Sequence, residues 1–191
     1  RSWLVKFRAK YDSKSIGIQE YEYSLLAKEC GIEMPETFLF EGKYFGVERF
    51  DRSIRGKLHV VSIAGLLCAD YRIPCIDYLH ILQVCAELTH SIAELWKIYR
   101  LMVFNYLIGN KDDHAKNFSF IYRDKDWHFA PAYDILPSNG MYGFHTTSIN
   151  DSITPTKEDL IAVATKAGLP SKEAEAIFNQ IHTILKSKHQ V

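Results

Sequence analysis

Along the chain the spacing of apolar and polar positions changes several times, and each change marks an element. WLVKF (3–7) is a short apolar run interrupted by Lys6, which predicts a buried strand. Residues 10–17 are polar and loop-like. Over 18–30 the apolar positions Ile18, Tyr21, Leu25, Leu26 and Ala27 return at helical spacing, and Gly31 stands where a left-handed residue would end a helix. After Pro35, TFLF and YFGVERF predict two strands, with Gly42 in the EGK turn between them. Beyond DRSIRGK the period lengthens: 60–70 and 77–109 predict two or three buried helices interrupted at Pro74. FSFIY (118–122) and WHFA (127–130) flank RDKD as a second hairpin, with Tyr122 facing Trp127. Residues 131–156, with Pro131, Pro137, Pro155, Gly140 and Gly143, are looser. Thr156-Lys-Glu-Asp has the form of a capping box, Gly168 and Pro170 close the helix it opens, and Ser171 is expected to cap a last one. The pattern predicts an α+β fold with a small β-rich lobe over 1–50 and a larger, mainly helical lobe over 51–191.

Composition narrows the partners. The 191 residues carry 23 Lys+Arg against 23 Asp+Glu, so the chain lacks the basic footprint of an autonomous nucleic-acid binder, and direct nucleic-acid binding is not expected. Cys30, Cys68, Cys75 and Cys85 share no CxxC spacing, and no signal peptide precedes them; free thiols in a cytoplasmic protein are the expectation. No apolar run reaches the ~18 residues that a membrane span needs.

The densest polar cluster is GNKDDHAKN (109–117), set between the apolar run FNYLI and the strand FSFIY. Such a loop is by default a solvated turn. Asp112 and Asn117, however, stand five residues apart, as do the base and the metal-binding Asn of a protein-kinase catalytic loop. With Tyr122 facing Trp127, the extended ladder sets Asn117 opposite Ala132, and so brings Asp134 of APAYDIL beside the loop. A carboxylate for the nucleophile together with hard oxygen ligands is what phosphoryl transfer requires. Lys6 either snorkels from an edge strand or pairs with a carboxylate, because a buried ammonium must be compensated. Glu20 and Glu22 are within the following helix, and Glu20 is preferred because Glu22 neighbours the solvent face. VERFDR (47–52) leads out of the small lobe; it is either a plain edge strand or a segment offering backbone groups to an adenine edge, with Phe50 nearby. His59, His80, His90 and His128 form no metal-binding spacing, and there is no GxSxG, GxGxxG or Walker A motif.

WLVKF, VERFDR, FNYLIGNKDDHAKNFSF and APAYDILPS, in that order, resemble the HipA-like kinases, the toxin halves of bacterial toxin–antitoxin pairs. EYEYSLLAKECGIEMPE, GKLHVVSIAGLLCADYR and HTTSINDSITPTKEDLIAVA extend the similarity over nearly the whole chain. The resemblance implies an ATP-dependent Ser/Thr protein kinase, with a fold related to protein and phosphoinositide kinases. By position, Asp112 is similar to the catalytic base and Asn117 and Asp134 to the Mg²⁺ ligands. His114, Ala115, Lys116 and Tyr133 would flank the nucleotide, Lys6 with Glu20 would hold its phosphates, and Glu48, Arg49 and Phe50 would meet adenine. Asp113 stands where the motif often has Gly. Cytosolic protein substrates such as aminoacyl-tRNA synthetases, and neutralisation by a helix-turn-helix antitoxin that binds operator DNA, are further implications.

Such kinases carry a Ser/Gly phosphate loop and a small subdomain ahead of the lysine strand. The sequence opens on that strand, so these parts are expected to lie upstream of it or to come from a separate N-terminal-subdomain protein. Two other functions remain open: an idle kinase-fold module that binds an antitoxin or companion, and a small-molecule phosphotransferase.

Overall fold

The computed structural model describes residues 1–54, 56–70, 76–140 and 143–188. Pro74 and Cys75, where a helix break and a free thiol are expected, lie outside them. Strands β1 (Trp3–Lys6), β2 (Thr37–Phe40) and β3 (Tyr44–Glu48) form an antiparallel sheet in the order β1-β3-β2, and α1 (Ile16–Glu29) packs on β2 and β3. Lys6 pairs with Phe45 in this ladder. The β2–β3 turn places Glu41 and Gly42 at φ 49° and 67°, the left-handed region that tight hairpins use. Gly31, just past α1, has φ 75°, as the sequence pattern anticipates.

Gly17 decides how closely α1 seats. A Cβ there would stand 2.2 Å from the Lys43 carbonyl oxygen, so only glycine lets the first turn of the helix settle on the β3 end of the hairpin. Glu20, three residues on and therefore on the same face, is carried towards Lys6 by that contact.

The chain continues through a two-stranded ribbon, β4 (Arg52–Ser53) with β5 (Gly56–Lys57), into β6 (His59–Ser62) and the short helix α2 (Ile63–Leu66). Here the helix expected over 60–70 is corrected. Val60 and Val61 are β-branched, and pairing with the later strand β8 satisfies their backbone; only 63–66 are helical, capped by the Ser62 hydroxyl accepting from the Gly65 N–H at 3.2 Å. The expected run over 77–109 is β7 (Ile76–Asp77), α3 (Tyr78–Thr89) and α4 (Ile92–Ile108), broken where His90 takes φ 49°. Next come β8 (Ser119–Arg123) and β9 (Asp126–Phe129), with β6-β8-β9 forming a sheet, then β10 (Thr147–Ser148), parallel to β7. Tyr122 does pair with Trp127, across a turn in which Asp124 and Lys125 both have positive φ.

Helices α5 (Lys157–Lys166) and α6 (Ser171–Lys188) complete the chain, α5 opening on the Thr156–Asp159 capping box. Ser171 is the first residue of α6 rather than its cap, since Ala174 N–H bonds to the Pro170 carbonyl at 3.1 Å. The core lies among α3 to α6, where Ile98, Tyr99, Met102 and Phe104 are fully buried; Tyr99 also donates to the Ala174 carbonyl, tying α4 to α6. No helix among the described residues is long and apolar enough to cross a membrane.

Candidate active site

A cavity of about 360 Å³ opens between the first sheet and residues 133–136. Its walls are apolar: Leu4, Phe45 and Val47 from the sheet, Met34 and Pro35 from the segment after α1, Ile135 and Leu136 from the far side. Mostly apolar walls with a few charged groups are what small-molecule sites share. The charged lining here comes from Lys6, Glu20 and Asp134 on one side and from the 48–51 segment on the other.

Lys6 Nζ donates to Glu20 Oε1 at 2.7 Å and also pairs with Asp134. Burial by itself would lower the pKa of this ammonium, but the charges and hydrogen bonds of Asp134 and Glu20 outweigh it and hold the group above the ordinary lysine value. Lys6 is thus a cation fixed by two carboxylates, not a snorkelling side chain, and Glu20 rather than the exposed Glu22 is its partner on α1. Asp134 has φ 53°, a left-handed conformation that asparagine and aspartate adopt more readily than other non-glycine residues. Backbones of this kind concentrate at functional sites.

Glu48, Arg49, Phe50 and Asp51 form the other rim. Arg49 N–H bonds to the Ser2 carbonyl at 2.8 Å, and its guanidinium grips Asp51 in two places, at 2.9 and 2.7 Å. That hydrogen-bonded pairing, with help from Arg52, holds the Asp51 carboxyl below its usual range. Phe50 stacks on Tyr133 at 5.9 Å between ring centres, joining this segment to the opposite wall.

The 109–117 loop is launched by Gly109, which ends α4 at φ 70°. Asp112 is exposed, and its N–H bonds to Asn110 Oδ1 at 3.3 Å. His114 precedes a 3₁₀ turn formed by Ala115, Lys116 and Asn117. Asn117 Nδ2 donates to the Asp112 carbonyl at 3.0 Å, which leaves its Oδ1 as the oxygen free to face a cation. None of residues 112–117 lines the cavity. They are tied to its wall by Tyr133, whose hydroxyl donates to the Lys116 carbonyl and accepts from Ser119 Oγ, each at 2.6 Å. Burial pushes the Tyr133 hydroxyl up in pKa despite the Ser119 hydrogen bond.

The expected pairing of Asn117 with Ala132 does not occur. Ala130 N–H still reaches the Ser119 carbonyl, but Pro131 has no N–H to continue the ladder, and Ala132 N–H turns instead to Glu33. Asp134 is placed by Asn110, whose Nδ2 lies 3.5 Å from the Asp134 carbonyl oxygen, and by Lys6. Among the described residues no cluster of three or more His, Cys, Asp or Glu is assembled to hold a metal unaided. The Asp134 carboxylate and Asn117 Oδ1 are nonetheless hard oxygen donors of the kind Mg²⁺ accepts together with phosphate oxygens.

Sequence reasoning missed what lies beneath the loop. Asp113 is fully buried, and its carboxylate takes hydrogen bonds from Tyr78, His145, and the N–H groups of Thr146 and Thr147. Asn105 and Asn110 extend this network. The doubled aspartate of DDH is its one local signal.

The HipA-like C-terminal domain model matches residues 1–188. The chain belongs to this family. It is 30% identical over 197 residues to Y4dM of Sinorhizobium fredii, named as a candidate kinase, with 90% of this chain and 47% of that protein aligned. A Haemophilus influenzae protein, also named as a candidate kinase, is 30% identical over 138 residues, covering 61% of this chain and 40% of its own length. The chain therefore spans about half the length of the curated relatives it matches. In fold it is similar to a chain of the Shewanella oneidensis MR-1 toxin–antitoxin complex of HipA, HipB and operator DNA (TM-score 0.76, 21% identity, 97% of this chain and 50% of that one). It is also similar to the Helicobacter pylori proinflammatory kinase CtkA (TM-score 0.59, 14% identity, 97% and 85%). The α+β, two-lobed fold is thus that of HipA and CtkA.

Proposed function

We propose that this HipA-like domain is the catalytic part of an ATP-dependent Ser/Thr protein kinase of the toxin type, acting on a cytosolic protein, with residues 1–50 and 51–191 as its two lobes. The observation that carries the reading is Lys6, a cation held by Glu20 and Asp134 beside an apolar slot. A lysine so oriented suits the α- and β-phosphates of a nucleotide whose base lies between the apolar walls and whose edge meets the backbone of Glu48, Arg49 and Phe50. Asn117 Oδ1 and the Asp134 carboxylate would hold Mg²⁺, which neutralises phosphate charge when bound. His114, Ala115 and Lys116 flank the phosphates from the loop side, and Tyr133 keeps that loop against the cavity wall.

In the transfer, the acceptor hydroxyl oxygen forms a bond to the γ-phosphorus as the bond from that phosphorus to the β–γ bridging oxygen breaks. Asp112, exposed at the loop tip, accepts the hydroxyl proton. The partner reading follows the Shewanella oneidensis complex: a helix-turn-helix, HipB-like antitoxin, with DNA reached through that partner, and a separate N-terminal-subdomain protein as a further candidate. The test is γ-phosphate transfer from ATP to a protein hydroxyl, comparing the wild type with Asp112→Asn. Loss of a general base is expected to cost ~10²–10⁴-fold in rate with ATP affinity little changed. Equal transfer by the two proteins would remove Asp112 from the mechanism.

A further inference from the structure

Asp113 is a carboxylate at 0% exposure with no lysine or arginine among its described partners, an expensive placement unless several donors converge on it. Four do. Oδ2 accepts from the Tyr78 hydroxyl at 2.9 Å and meets His145 Nδ1 at 3.0 Å; Oδ1 accepts from Thr146 N–H at 3.0 Å and Thr147 N–H at 3.2 Å. With the carboxylate ionised, all four contacts are satisfied only if His145 Nδ1 carries a proton. The Thr147 hydroxyl also donates to the Asp113 carbonyl, and Thr146 donates twice to the Lys111 carbonyl, at 3.2 Å from its N–H and 2.9 Å from its hydroxyl.

These bonds stitch 111–113 to the 145–147 segment, and through Tyr78 to α3. On the other side, Lys111 N–H bonds to the Ser138 carbonyl and Ser138 N–H to the Gly109 carbonyl. The loop is thus clamped between two segments that follow Asp134, and Asp113 is the only ionisable side chain among the described groups in the clamp that contacts both α3 and 145–147.

We propose that Asp113 is a positioning residue, whose buried carboxylate sets the loop so that Asp112 and Asn117 face the nucleotide site, and that it thereby governs Mg²⁺-dependent but not Mg²⁺-free nucleotide binding. The inference rests on the functional reading above. Asparagine in its place keeps the shape but turns an NH₂ towards groups that are themselves donors. The strain falls on the clamp, and Asn117 Oδ1 loses its fixed direction. The β1 and β3 wall of the slot and the Lys6–Glu20 pair lie outside the clamp, so the Mg²⁺-free contacts they make are retained.

The test measures ATP affinity by calorimetry with and without Mg²⁺ for the wild type, Asp113→Asn and the milder Tyr78→Phe, and backbone amide exchange for all three. Asp113→Asn is expected to leave Mg²⁺-free affinity within about twofold and to remove ~10–100-fold of the Mg²⁺-dependent gain, the usual effect of deleting a group that orients a metal ligand. Tyr78→Phe should show the same loss in smaller measure. Exchange should rise at 111–117 and stay unchanged in α6. Full retention of the Mg²⁺ gain in Asp113→Asn, or unchanged exchange at 111–117, would overturn the proposal. A wild type without any Mg²⁺ gain would instead overturn the metal reading of Asn117 and Asp134, and exchange would then decide alone whether Asp113 holds the loop.

Discussion

Lys6, 33% exposed, is the last residue of β1, and its two carboxylate partners come from distant parts of the chain: Glu20 from α1, Asp134 from the segment after β9. That convergence gives the lysine a pH signature. Because its folded-state pKa lies above the ordinary lysine value of 10.5, the stability it contributes is fully present below that value and is lost only as pH rises through the folded-state value. Urea midpoints of the wild type and Lys6→Met should differ by a constant amount from neutral pH up to the ordinary lysine range and converge above it. A gap that persists unchanged above the lysine range would show that the charge of Lys6 does not carry it. At this scale the sequence was partly readable. An isolated lysine in an apolar strand signals a requirement for compensation, and helical phase separates Glu20 from Glu22, whereas the role of Asp113 depends on Tyr78 and Thr147, over thirty residues away on either side.

Elements deliver these side chains, and the approach of α1 to the first sheet is the most sensitive of the placements. Gly17→Ala puts a methyl against a backbone oxygen that has no room to yield, so α1 must lift and take Glu20 with it. Overpacking of this kind costs ~1–3 kcal/mol. The expected outcome is a lower unfolding midpoint together with weaker ATP binding; unchanged ATP binding would separate the seating of α1 from the site. Helices and hairpins with strong local signals were legible, including the Tyr122–Trp127 register and the Thr156 capping box, because turn geometry and caps are local. Residues 60–62 were not, because their strand state comes from pairing with β8 some sixty residues later. The Asn117–Ala132 register failed for a reason visible in the chain, Pro131, whose missing N–H ends the ladder two residues early.

At the scale of the whole molecule, an apolar slot, a fixed cation and a clamped polar loop are brought together by elements spread from β1 to β10, and the family match spans residues 1–188. Four separated motifs in order pointed to the lysine strand, the polar loop and the Asp134 segment; that Met34, Val47 and Ile135, each within a quoted stretch, close one cavity emerges only from packing. On the proposed function this assembly binds MgATP only when folded, so the quantity to measure is the melting temperature of the 191-residue chain with and without MgATP, for the wild type and Asp134→Ala. At a ligand concentration ~100 times Kd, binding adds about 2.7 kcal/mol, which for a domain of this size raises Tm by ~5–10 °C. A rise of that order is expected in the wild type, and Asp134→Ala should abolish it; a wild-type melting curve unmoved by millimolar MgATP would show that these residues form no MgATP site.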